Sequence, residues 1–270
     1  MNAEVAQLVE RNLAKVEAAG SNPVFRSLAT WRSGYAAVCK TVYTSSILVV
    51  ASRLKFMCGR YYNFISKDEL SYLSNNELIN EYKNFNIVPT SEVPIIIENQ
   101  IINAKWGFYP SWLKEIKDSK PLINARLETV LEKKTFKTPF EKKRCIVLMS
   151  GWYEWKKEIE SKIPYAFYKQ DYKPIQVAGI YSQRSDKSIE VCILTTSAWS
   201  ELNNIHERMP VVLNNELINY WNDFDIDINY LLQKLNTKTE SIKYHRVDIA
   251  VNNPKNNNEN LYKEYTELPF

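Results

Sequence analysis

Cys145-Ile146-Val147-Leu148-Met149-Ser150-Gly151-Trp152-Tyr153-Glu154-Trp155 runs from an unbroken apolar stretch into an aromatic one that holds a single acid. The apolar part reads as a buried strand. The glycine and serine mark a break, and alternation in a following strand puts Glu154 on the same face as Trp152. An acid among aromatics can have its pKa raised by desolvation, which suits proton shuttling. An exposed acid on an edge strand fits the same letters.

Working outward, segments 94–98, 165–169, 176–181 and 190–195 also read as strands, separated by Pro, Asp and Ser turn signals. Segment 244–250 alternates like a further strand. Apolar spacing predicts helices over 68–82, 214–221 and 228–235. Segment 252–260, mostly Asn, reads as a loop. Many strands with a few unevenly spaced helices predict an α+β fold, a curled, barrel-like mixed or antiparallel sheet with helices around it.

Composition narrows the function. The chain has 270 residues, 45% hydrophobic and 24% charged, which are the proportions of a folded globular protein. Only six glycines and no Gly-rich loop argue against a dinucleotide or P-loop site. Cys39, Cys58, Cys145 and Cys192 are far apart with no C-x-x-C pair, so neither a zinc site nor a disulfide framework is expected. No metal and no cofactor are expected, and a reducing, cytoplasmic compartment fits. The apolar run over 46–51 is far shorter than the roughly 20 residues of a membrane span.

The net charge of +4 belongs to one end. Residues 1–56 hold seven Lys/Arg and three Glu, which leaves 28 basic and 28 acidic residues for 57–270 from totals of 35 and 31. A neutral body is not that of an all-over basic nucleic-acid binder. Any phosphate site is therefore a local cluster. The stretch 1–56 could be a transit leader or a small appended element. The preferred reading is that it is spurious or removed, because segment 6–27 resembles peptides that arise when a structural-RNA gene is translated. The working protein then starts at Met57 as a single domain, 57–270, and residues 1–56 are expected to pack poorly against it.

Five stretches carry candidate chemistry: Met57-Cys58-Gly59-Arg60; Trp106-Gly107-Phe108-Tyr109-Pro110-Ser111-Trp112; Asn124-Ala125-Arg126-Leu127-Glu128-Thr129; Gly151-Trp152-Tyr153-Glu154-Trp155; and His206-Glu207-Arg208-Met209-Pro210. An arbitrary cysteine is usually a small core residue. Cys58 differs because it follows a methionine whose removal would make it the N-terminus. An N-terminal cysteine offers an amine with a pKa of about 7.7–8.0 beside a thiol of about 8.5. Together they can turn an aldehyde into a thiazolidine, which an internal cysteine cannot do. His206 could act as acid or base near neutral pH. His245 sits in the alternating pattern and reads as structural. Arg60, Arg126 and Arg208 are candidate phosphate contacts. Trp106 could stack on a base, although most Trp side chains fill cores.

In this order the five stretches resemble the SRAP family, the SOS response-associated peptidase or abasic-site processing proteins, over essentially all of 57–270. Val251-Asn252-Asn253 resembles a further family segment. The resemblance implies covalent capture of abasic sites in single-stranded DNA through the N-terminal cysteine, and autoproteolytic exposure of that cysteine. By the motif match Cys58 would be the nucleophile and Asn124 would hydrogen-bond near it. Glu154 would move protons, and His206 would assist sugar ring opening or reversal. Arg60, Arg126 and Arg208 would hold flanking phosphates. The expected partner is single-stranded DNA containing abasic sites, met by a monomer, nucleoid-associated in a bacterial cell. Two readings compete: a thiol hydrolase using Cys58, His206 and Glu154, and a non-catalytic single-strand binder using the arginines and Trp106.

Overall fold

A computed structural model of the chain describes residues 59–66, 68–71, 73, 82–110, 113 and 119–266. The expectation for residues 1–56 lies outside the described residues, as do Met57, Cys58, Ser111, Trp112 and most of the helix expected over 68–82.

The strands, in chain order, are β1 (Tyr61–Ile65), β2 (Tyr82–Ile87), β3 (Glu92–Ile97), β4 (Gln100–Trp106), β5 (Asn124–Arg126), β6 (Arg144–Met149), β7 (Gly151–Lys157), β8 (Lys162–Lys169), β9 (Ile175–Gln183), β10 (Ile189–Ser197), β11 (Arg208–Pro210), β12 (Val212–Leu213) and β13 (Ile242–Arg246). The described helices are α1 (Lys134–Lys142), α2 (Asn215–Asn222) and α3 (Ile228–Leu235).

Strands β3, β4, β10, β9 and β6 close into a ring. Its pairings are β3–β4, antiparallel (Ile95↔Ile102); β4–β10, parallel (Lys105↔Glu190); β10–β9, antiparallel; β9–β6, antiparallel (Val147↔Val177); and β6–β3, antiparallel (Ile95↔Val147). The apolar run of β6 is continuous because both of its faces are covered. Cys145, Val147 and Met149 join Val93, Ile95, Val177 and Ile193 in one cluster. Ile146 and Leu148 join Phe140, Trp221 and Leu231 from the helices in the other.

The chain leaves the ring at Ser150 and enters a second sheet in the order β13-β8-β7-β1-β2. Glycine is required at 151, since a Cβ there would lie 2.2 Å from both the Phe167 carbonyl and the Tyr62 hydroxyl. Along β7, Trp152 faces the barrel cluster and stacks on Phe167 with ring centroids 5.1 Å apart. Tyr153 faces the other way, with Tyr62, Val251 and Leu261.

The α+β, barrel-like expectation holds, with three local corrections. Tyr82 opens β2 instead of closing a helix, and Asp68–Leu70 is a short 3-10 turn. The strand expected over 244–250 stops at Arg246, and Ile249–Asn252 forms a 3-10 turn. The Asp248 side chain accepts from the Ala250 N–H and caps that turn, a local bond that competes with the ladder. The loop expected over 252–260 ends in another turn, Glu259–Tyr262. Asn86 pins it through Nδ2 to the carbonyls of Asn253 (3.0 Å) and Asn256 (2.8 Å).

Candidate active site

Two of the expected residues face each other across a seam. Glu154, on β7, is 2% exposed. His206 lies between β10 and β11, with its Nε2 at 3.9 Å from Glu154 Oε2. That is ion-pair range, beyond a direct hydrogen bond. The other ring nitrogen, Nδ1, accepts the backbone N–H of Arg208 at 3.1 Å and lies 3.2 Å from the Arg208 carbonyl oxygen. The bond from the amide assigns the neutral ring its proton at Nε2, toward Glu154. A protonated ring can instead donate from Nδ1 to the carbonyl. Either state has a backbone partner, so the ring can gain or lose a proton without being released.

Arg208 is held by more than its backbone. Its Nη1 and Nη2 donate to Glu128 at 2.6 and 2.9 Å, a forked pair. Nη2 also donates to the Thr195 carbonyl at 2.7 Å. Burial alone would push the Glu128 carboxyl up, but the hydrogen bonds and charge of Arg208, with backbone N–H groups, bring it net below the ordinary value. This residue stands inside a motif singled out in the sequence, yet nothing in the spacing there marks it as the partner of an arginine 80 residues on.

The remaining expected residues separate by environment. Asn124 and Arg126 lie on β5, which runs parallel to β10 at Ile193 and Thr195. Asn124 is half-buried and Arg126 is exposed. Arg60 points inward, its Nη1 donating to Asn86 Oδ1 and the Val251 carbonyl, both at 2.7 Å. It ties the start of β1 to the C-terminal turn and is half-buried. Asn86, which organises that turn, was not foreseen, because an Asn in an Asn-rich sequence looks like any other. The Arg60 carbonyl accepts from the Tyr153 N–H at 3.0 Å, so the β1–β7 register (Tyr61↔Trp152) continues toward Glu154.

Trp106 does not fit the base-stacking expectation. It has no exposed surface, and its Nε1 donates to the Ile123 carbonyl at 3.0 Å inside the barrel cluster. His245 is structural as expected, with Nε2 at 2.7 Å from the Tyr262 carbonyl. The described cysteines, Cys145 and Cys192, are free and buried, and burial pushes both thiols well above their ordinary value. Neither is a nucleophile near neutral pH. Among the described residues no group of three His, Cys, Asp or Glu is placed to hold a metal ion. Nor, among them, is any helix long and apolar enough to cross a membrane.

A closed barrel joined to an antiparallel sheet, with a buried carboxylate opposed to a histidine between two strands, defines an α+β protein with an acid–imidazole pair at its seam. The sequence profile of the SOS response associated peptidase (SRAP) family matches residues 57–254, and the chain belongs to that family. The chain is 31% identical over 224 residues to the abasic site processing protein YoqW of Bacillus subtilis, covering 77% of this chain and 100% of that one. It is 30% identical over 217 residues to the abasic site processing protein YedK of Escherichia coli, covering 74% and 96%. A crystal structure of a Bacteroides thetaiotaomicron protein shares the fold, with a TM-score of 0.66 at 24% identity over 76% of this chain and 100% of that one.

Proposed function

We propose that this protein processes abasic sites in single-stranded DNA by covalent capture, with Cys58 as the attacking residue once it is the N-terminus. The observation that carries the reading is the buried Glu154, 2% exposed, opposed by His206 at 3.9 Å, with the Gly59–Arg60 end of the chain running along β7 toward it. The relatives named abasic site processing proteins supply the substrate class. Cys145 and Cys192 are sealed in the core, so thiol chemistry falls to a cysteine outside it.

The chemistry balances. Hydrolysis of the Met57–Cys58 peptide bond consumes one water and frees the α-amine. That amine adds to the C1′ aldehyde of the open abasic sugar. The carbinolamine takes up a proton and loses water to give a protonated Schiff base, and the thiol gives up a proton as its sulfur adds to the iminium carbon. The net product is a thiazolidine and one water. Glu154 supplies a proton to the departing hydroxyl and takes one from the thiol. His206 serves the sugar ring opening. Asn124 orients the sugar near Cys58, and Arg126 meets a flanking phosphate.

Of the groups assigned to the competing single-strand binder, Trp106 is buried, Arg60 and Arg208 are bonded to protein groups, and Arg126 is exposed. The test is incubation of protein starting at Met57 with an abasic oligonucleotide and with its intact counterpart. A heat-stable adduct with the abasic strand alone, lost in Cys58→Ala, is expected. An adduct that survives Cys58→Ala would overturn the reading. A thiol hydrolase would instead cleave peptide substrates with its N-terminus blocked.

A further inference from the structure

We infer that Glu128 is a positioning residue for His206, acting through Arg208. The inference rests on the function proposed above for its kinetic consequence, but not for its structural one. Strand β5 and strand β11 flank the C-terminal end of β10 on opposite sides, with Arg126 and Pro210 both paired to Thr195. Glu128 follows β5 directly, yet its carboxylate crosses β10 to reach β11. Oε1 accepts the Ser197 N–H at 3.2 Å and Arg208 Nη1 at 2.6 Å. Oε2 accepts Arg208 Nη2 at 2.9 Å.

Ser197 and Arg208 are partners in the β10–β11 ladder, and beyond them the Ala198 N–H donates to the Glu207 carbonyl at 2.9 Å and closes the loop end. That ladder is short: β11 has three residues, and one is Pro210, which has no N–H to give. The loop it closes holds His206, two residues before Arg208. One carboxylate therefore staples both sides of the ladder at the point where the histidine loop departs. The Arg208 N–H that fixes His206 Nδ1 belongs to the stapled residue. Removing the staple leaves this end to the Ala198–Glu207 backbone bond and the Arg208 bond to the Thr195 carbonyl, and loosens the amide that selects the tautomer.

The test uses the full chain, which has only two histidines, labelled with nitrogen-15 and followed by NMR of the ring nitrogens. His245, bonded to Tyr262, is the internal reference. The native chain is expected to show His206 as the Nε2–H tautomer. Glu128→Gln is expected to give mixed tautomers and a displaced His206 titration, with His245 unchanged. Arg208→Lys keeps the backbone amide and both charges but loses the fork, and it is expected to do the same. If Glu128→Gln does not fold, this second variant gives the readout. Adduct formation on an abasic oligonucleotide is expected to fall about 10-fold in either variant with an altered pH profile, as misplacement of a reacting group predicts. Unchanged tautomer and titration in the variants would overturn the inference. So would an effect in Glu128→Gln without one in Arg208→Lys, which would mark a through-space charge effect. A native chain that forms no adduct but shows the tautomer change would defeat the proposed function and leave the positioning intact.

Discussion

The barrel and the seam beside it bury polar groups to opposite ends. In the barrel Cys145, Cys192 and the indole N–H of Trp106 sit in apolar surroundings, each bonded to backbone or simply sealed. At the seam Glu154 is just as buried, but an imidazole faces it from another element. Burial alone thus leaves the two thiols inert, whereas Glu154 is buried opposite a second titratable group. The arginines divide in a similar way. Arg60 and Arg208 are spent on holding the chain, and Arg126 is exposed.

The largest effect separates the cysteines. Cys58→Ala is expected to abolish adduct formation. Cys192→Ala should leave it intact and cost about 1 kcal/mol of stability, the usual size for a small core truncation; denaturant titration beside an adduct gel checks both. Trp106→Ala is expected to destabilise the fold by about 3–5 kcal/mol through the cavity it leaves. A tryptophan that stacked on bases would instead lose DNA affinity at unchanged stability, so urea unfolding and a binding isotherm decide its side of the comparison.

Glu154→Gln is expected to slow adduct formation about 100-fold, the lower end for a lost general acid–base group, with DNA binding retained; single-turnover rates read this directly. Arg126→Ala is expected to reduce the slope of log affinity against log salt by about 0.7, the share of one single-strand phosphate contact. Arg60→Ala should lower stability and leave that slope unchanged.

The smallest effect is on pH. Glu128 is lowered in the folded state from its ordinary 4.5, so its contribution is present above that value and is lost as pH falls through the folded one. Acid unfolding of Glu128→Gln should be less steep below about pH 4.5, by under ~1 kcal/mol because the carboxylate is more than a third exposed.

The core elements were legible because their signals are local. The run at β6 and the helical spacing of α3 each carry a period that needs no partner to be seen. β2 was not legible: Tyr82-Lys83-Asn84-Phe85-Asn86-Ile87 is half polar, and it becomes a strand by pairing with β1. In the site, residue types announced Glu154 and His206, but their opposition depends on a seam between elements 52 positions apart. The remaining candidates share one feature. Whether Trp106 is a platform or a core residue, and whether Arg60 and Arg208 meet phosphate or protein, depends on long-range partners such as Asn86 and Glu128 that no spacing rule supplies.

The most direct measurement is the mass of the crosslinked species after tryptic digestion, with the modified peptide sequenced by fragmentation. The account predicts a peptide whose first residue is Cys58, carrying the oligonucleotide remnant at the sum of the two masses less one water. A remnant attached to an internal residue, or to a peptide that still has Met57 ahead of the cysteine, would contradict it.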